Sequence, residues 1–84
     1  MNTLELRVKL EEAGLTVRQT EVVLLVAQGL SNKEVGNQLF IAPKTVKFHL
    51  TTVYGLLGVK SRAQLIVWCV PHLYTPIIRI EEAV

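Results

Sequence analysis

Four helix starts are written into this chain at fixed distances, and they limit its fold more than any other feature. Thr16 with Gln19, Ser31 with Glu34 and Ser61 with Gln64 each have capping-box spacing. In such a box a hydroxyl accepts the backbone N–H three residues on, and the longer side chain reaches back to the N–H of the cap. Pro43 supplies the fourth start, because proline at the first helical position gives up an N–H that has no partner there anyway. Gly29 and Gly58 stand where two of these helices should stop, and Pro71 stands where the last should. The spacing predicts helices over residues 16–28, 31–39, 43–57 and 61–70, with Phe40-Ile-Ala as the turn between the second and third.

The expectation is therefore all-α: a four-helix domain over residues 15–70, with a short N-terminal extension (1–14) and a C-terminal tail (71–84). The first of the four helices is apolar on most sides between Val22 and Ala27, which makes it central. In the extension Leu4, Leu6, Val8 and Leu10 alternate with polar residues, a strand signal. The same residues are good helix formers, and Glu11-Glu12-Ala13-Gly14 ends like a helix, so the reading leans to helix. In the tail, Pro71 and Pro76 forbid a continuing helix, and Ile77, Ile78 and Ile80 are strand-like or docked.

A chain of 84 residues holds one small domain. Half of its residues are apolar, more than so small a body can hide, so an exposed apolar patch is expected. The longest apolar runs, Val22–Ala27 and Leu65–Val70, fall far short of the ~20 residues that span a bilayer. The N-terminus has no signal-peptide core. The single cysteine, Cys69, excludes an internal disulfide and a cysteine-based zinc site. A cytoplasmic protein is the simple reading. Net charge is +2 but uneven: residues 31–62 sum to +4, while residues 1–30 and 63–84 each sum to −1. The positive segment is either a light footprint for nucleic acid or an ordinary solvated surface.

The segment Ile41-Ala-Pro-Lys-Thr-Val-Lys-Phe-His-Leu50 decides between them. At about 100° per residue, Val46, His49, Leu50, Val53, Tyr54, Leu56 and Leu57 share one arc. Lys44, Lys47, Phe48, Thr51, Thr52 and Gly55 share the other. One face suits a core and one suits phosphates and base edges, which is what reading a major groove requires. Lys44 can meet a phosphate, Lys47 a phosphate or a guanine edge, Phe48 a thymine methyl, and Thr51 and Thr52 either. Lys33 and the helix start at Ser31 add a cation and backbone N–H groups. A lysine on a helix exterior, taken alone, is usually just solvated, and Phe48 could be packed by the tail. His49 on the inner arc reads as a hydrogen-bonded core histidine, and His72 as structural or solvated. No Gly-rich phosphate loop, metal-ligand cluster or nucleophile–base set is present, so the sequence implies no enzyme, no cofactor, no metal and no evident small-molecule ligand.

Four separated stretches, Leu15–Val22, Ala27–Val35, Thr45–His49 and Leu57–Arg62, together resemble the LuxR-type (NarL/FixJ-like) helix-turn-helix DNA-binding domain. The resemblance covers about residues 15–68. It implies that the second and third helices form the helix-turn-helix and that the fourth mediates dimerisation. It places Lys44, Thr45, Lys47 and Thr51 toward DNA, with Lys60 and Arg62 near the backbone. It also implies a scaffold ion pair between Glu21 and Arg62. Three departures stand out: Ala42 where the family has a capping serine, Thr51 where many members carry a base or phosphate contact, and Gly55-Leu56 where charged residues are usual. With few residues ahead of the matching segment, the chain resembles the single-domain members.

Leu65-Ile-Val-Trp-Cys-Val70 is apolar on every face, so it cannot point wholly inward. Leu65, Val67, Trp68 and Cys69, with Ile77 and Ile78 of the tail, are the expected dimer or partner surface. The alternative is that the tail folds back over them. The primary expectation is a dimeric regulator of transcription that binds double-stranded DNA at a two-fold symmetric site. The competing one is an anti-activator that binds another transcription regulator.

Overall fold

The computed structural model describes residues 3–73, and its secondary structure is entirely helical. The helices are α1 (Leu4–Glu12), α2 (Val17–Ala27), α3 (Asn32–Leu39), α4 (Pro43–Leu57) and α5 (Arg62–Leu73). The four helices expected over 15–70 are α2 to α5. Both readings of the N-terminal segment resolve to helix: Leu6 and Leu10, one turn apart, are fully buried, while Leu4 and Val8 face out. Strand alternation would have put all four on one face, and a one-sided helix is what separates them.

The local signals act as their chemistry dictates. At Thr16 and at Ser31 the hydroxyl accepts from the N–H of Gln19 and Glu34, and each of those side chains accepts in return from the N–H of the cap. The third box is displaced. Ser61 accepts from Gln64 N–H at 3.1 Å, but the Gln64 side chain accepts from Lys60, one residue earlier, at 2.7 Å. Ala42 makes no side-chain cap bond, and Gly58 closes α4 in the left-handed conformation.

α2 lies against all four other helices. Val22, Val23 and Val26 are at most 1 % exposed, so the expectation of a central helix holds. Around it, Val35 of α3, Val46, Leu50 and Val53 of α4, and Leu65, Cys69 and Leu73 of α5 complete one core, and Leu6 and Leu10 of α1 belong to it. α5 departs from expectation by running through Pro71 to Leu73. The missing N–H removes a bond in the last turn only, and burial of Leu73 holds that turn in place.

The turn between α3 and α4 is tight. Phe40 takes φ 61, ψ 43, left-handed for a bulky residue, and Ile41 N–H donates to the Gly36 carbonyl at 3.0 Å. A Cβ on Gly36 would overlap the Ile41 carbonyl oxygen. Glycine is therefore required here by close approach of backbone to backbone, not by its dihedral freedom.

Candidate nucleic-acid interface

α3 and α4, joined by that turn, form a helix-turn-helix whose second helix keeps one face out. Val46, Leu50 and Val53 anchor α4 in the core. Lys44, Lys47, Thr51 and Thr52 are exposed, Thr45 is half-buried, and Phe48 is 67 % exposed. The two arcs therefore fall as the period predicts, with one shift. Leu56, at the edge of the inner arc, is exposed, because the core ends near Val53 and the helix outruns it. His49 is half-buried with its ring 6.0 Å from Phe48, and it has no hydrogen bond among the described residues, so it is not the hydrogen-bonded core histidine expected.

The hydroxyl of Thr51 donates to the Lys47 carbonyl at 3.0 Å, and that of Thr52 to the Phe48 carbonyl at 3.3 Å. Their lone pairs stay outward, so each can accept in place and can donate only after its χ1 rotates. With no serine at 42, the first turn of α4 has no side-chain acceptor; Pro43 has no N–H, and the N–H groups of Thr45 and Val46 donate to the Ala42 carbonyl. The positive end of the helix dipole lies at this turn, which also carries Lys44, and favours an anion.

The electrostatics of the segment are one-sided. Among the described residues, none of Lys33, Lys44, Lys47, Lys60 or Arg62 has a carboxylate partner. The nearest acid in sequence, Glu34, is occupied: the Ser31 backbone N–H, then its hydroxyl, hold that carboxyl below the usual glutamate value. Lys33 and Lys60 are both exposed, near the starts of α3 and α5.

Arg62 has a different task. Its Nη1 donates to Asn32 Oδ1 and its Nη2 to the Leu30 carbonyl, both at 2.6 Å. The expected ion pair with Glu21 does not form. Glu21 instead takes Arg18, at 3.4 Å. The guanidinium fork finds two acceptors at the start of α3, and it pins α5 to the helix-turn-helix.

The apolar surface on α5 is corrected in detail. Leu65 and Cys69 are fully buried and belong to the core, so neither lies on an interface. The helix turns these two inward because Leu73 continues their stripe. Burial pushes the Cys69 thiol up to about 11. Val67 is 71 % exposed, and Trp68 is half-buried against the His72 ring at 5.2 Å. Ile77 and Ile78 lie outside the described residues. The outward stripe is Ala63, Val67 and Val70, at helical spacing and without a charge, and Ile66 beside it is partly buried against the core. Ile66 and Val70 went unread because in an all-apolar run the period carries no phase. Phe40 went unread for another reason: no sequence signal places a phenylalanine, here 92 % exposed, in a left-handed turn.

These features define a helix-turn-helix module with a basic, outward second helix. Residues 13–69 match the family described as bacterial regulatory proteins, luxR family, and the chain belongs to it. A Mycobacterium tuberculosis protein named as an HTH-type transcriptional regulator is 52% identical over 53 residues, 63% of this chain and 6% of that protein. The Bacillus subtilis transcriptional regulatory protein LiaR is 44% identical over 59 residues, 70% of this chain and 28% of LiaR. The Staphylococcus aureus response regulator VraR is 37% identical over 71 residues, 84% of this chain and 34% of VraR. The chain thus spans about a third or less of the length of these relatives. No solved structure matches it significantly. Among the described residues no helix is long and apolar enough to cross a membrane, and no cluster of side chains could hold a metal ion.

Proposed function

We propose that this chain is a sequence-specific DNA-binding regulator of transcription that lays α4 in the major groove. The observation that carries the reading is the outward face of α4, with Lys44 and Lys47 free of carboxylates among the described residues, beside Thr51 and Phe48 on a helix anchored from behind. Lys44, Lys33 and Lys60 meet phosphates, Lys47 and Phe48 reach base edges, and Thr45, Thr51 and Thr52 fill the contacts between. Arg62 supports this surface through Asn32 and Leu30. Two copies pair along Ala63, Val67 and Val70, with Ile66 and Trp68 at the rim, so that the site read is two-fold symmetric.

Selection of duplexes from a randomised pool, followed by anisotropy at several salt concentrations, tests the proposal. A two-fold motif should emerge. Three lysines on phosphates would give a log–log salt slope of about −2.7 per protomer. Lys47→Ala should lose about 1–3 kcal/mol of discrimination at one base position with an unchanged melting temperature. Unaltered binding by that variant overturns the docking.

One observation favours a second reading, an anti-activator that binds another transcription regulator. Phe40 and Phe48 are both largely exposed, and Gly55 and Leu56 put no charge on the outer end of α4. An absence of salt-dependent DNA binding, with capture of a purified luxR-family regulator that Phe48→Ala abolishes, would select it.

A further inference from the structure

Residues of α1, α2 and α3 line an open cleft of about 270 Å³. Leu24, Leu25 and Leu39 form its apolar part, and Arg7 of α1, Glu21 of α2 and Gln38 of α3 bring polar groups to it. Arg7 is half-buried, yet its guanidinium has no hydrogen bond or ion pair among the described residues. The one acid of the cleft, Glu21, has turned to Arg18 instead. A guanidinium with an open fork can take a carboxylate in two parallel, charge-assisted hydrogen bonds. Glu21, 41% exposed in its side chain, retains acceptor capacity for a cation. A cleft that offers one cation, one anion and an apolar floor fits a ligand carrying both charges and an apolar group. A simple fatty acid would meet Glu21 with its carboxylate or leave it unanswered. The volume lies just below the range of drug-sized pockets, ~300–1,000 Å³, so the ligand is metabolite-sized.

We propose that this cleft binds an apolar α-amino acid, with its carboxylate on Arg7, its ammonium at Glu21 and its side chain on Leu24, Leu25 and Leu39. Gln38 and Leu39 directly precede the Phe40 turn, so the ligand would tie α1 to the joint that orients α4. Occupancy stabilises the folded chain by mass action and raises its melting temperature with ligand concentration. This site is independent of the DNA face and stands or falls separately from it.

The test is ¹H–¹⁵N correlation spectroscopy of the full chain, titrated with L-leucine, L-methionine and L-phenylalanine to 20-fold above ~1 mM. N-acetyl-leucine amide, which has neither charge, serves as the control. Saturable shifts confined to residues lining the cleft, absent with the control and weakened at least tenfold in Arg7→Gln, would support the site. The Arg7→Gln variant must give the wild-type spectrum without ligand. Should it fail to, Glu21→Gln takes its place with the same expectation. Linear, unsaturated shifts with all three amino acids, or affinity unaltered in the variant, would overturn it.

Discussion

The joint between α3 and α4 and the seam between α1 and α5 are both interhelical contacts, but they are held by different parts of the chain. At the joint, backbone rests on backbone: Gly36 admits the Ile41 carbonyl, the Ile41 N–H closes on the Gly36 carbonyl, and Phe40 turns left-handed between them. At the seam, side chains carry the contact. Leu6 and Leu10 enter the same core as Leu65, Cys69 and Leu73, and His72 Nδ1 approaches Glu5 Oε2 at 3.5 Å. Thr3 gives α1 no side-chain cap. Geometry fixed by the main chain leaves few ways to move, so the half that orients α4 is rigid by construction. A seam of side chains tolerates swaps that keep volume and yields to those that do not.

Truncating one buried side chain at the seam should give the largest effect. Leu10→Ala is expected to cost about 2–5 kcal/mol in urea denaturation, while Leu10→Met should cost under about 1.5 kcal/mol. Equal losses from the two would break the distinction. At the joint the smallest possible addition should hurt. Gly36→Ala is expected to destabilise by about 1–3 kcal/mol, although alanine at an ordinary helical position gains about 1 kcal/mol over glycine. A stabilised Gly36→Ala protein would show that the turn can open. The smallest effect concerns the cap of α3. Hydrogen bonds from Ser31, its backbone N–H first and its hydroxyl second, hold the Glu34 carboxyl below the ordinary glutamate value, so the folded state prefers the carboxylate. That contribution is complete above the unfolded pKa and disappears as pH falls through the folded one. Stability measured below pH ~4.5 should therefore decline less steeply in Glu34→Gln than in the parent. The same slope in both would remove the cap from the account.

Most of the α2–α5 framework was legible because capping, proline and glycine signals agreed in phase with the apolar period. Thr16, Ser31 and Pro43 act where their chemistry puts them. The outward face of α4 was legible for the same reason, since lysine and threonine interrupt its apolar residues at regular spacing. α5 was not, because six successive apolar residues give no phase, and Leu65 and Cys69 were expected on the surface. The partner of Arg62 was misplaced because tertiary geometry chose among several nearby acceptors. Nothing local marks Gly36, whose need is set by a carbonyl five residues on. The α1–α2–α3 cleft is equally silent in the sequence, since its walls are far apart along the chain.

Cys69 carries a consequence beyond packing. It is the only cysteine in the sequence, it has no exposed surface, and its pKa of about 11 leaves almost no thiolate at neutral pH. Alkylating and oxidising agents act on the thiolate, so the closed protein is nearly blind to them. Only excursions that open the core expose the sulfur. The molecule therefore carries a built-in clock, one atom whose rate of covalent capture counts how often the core around it opens.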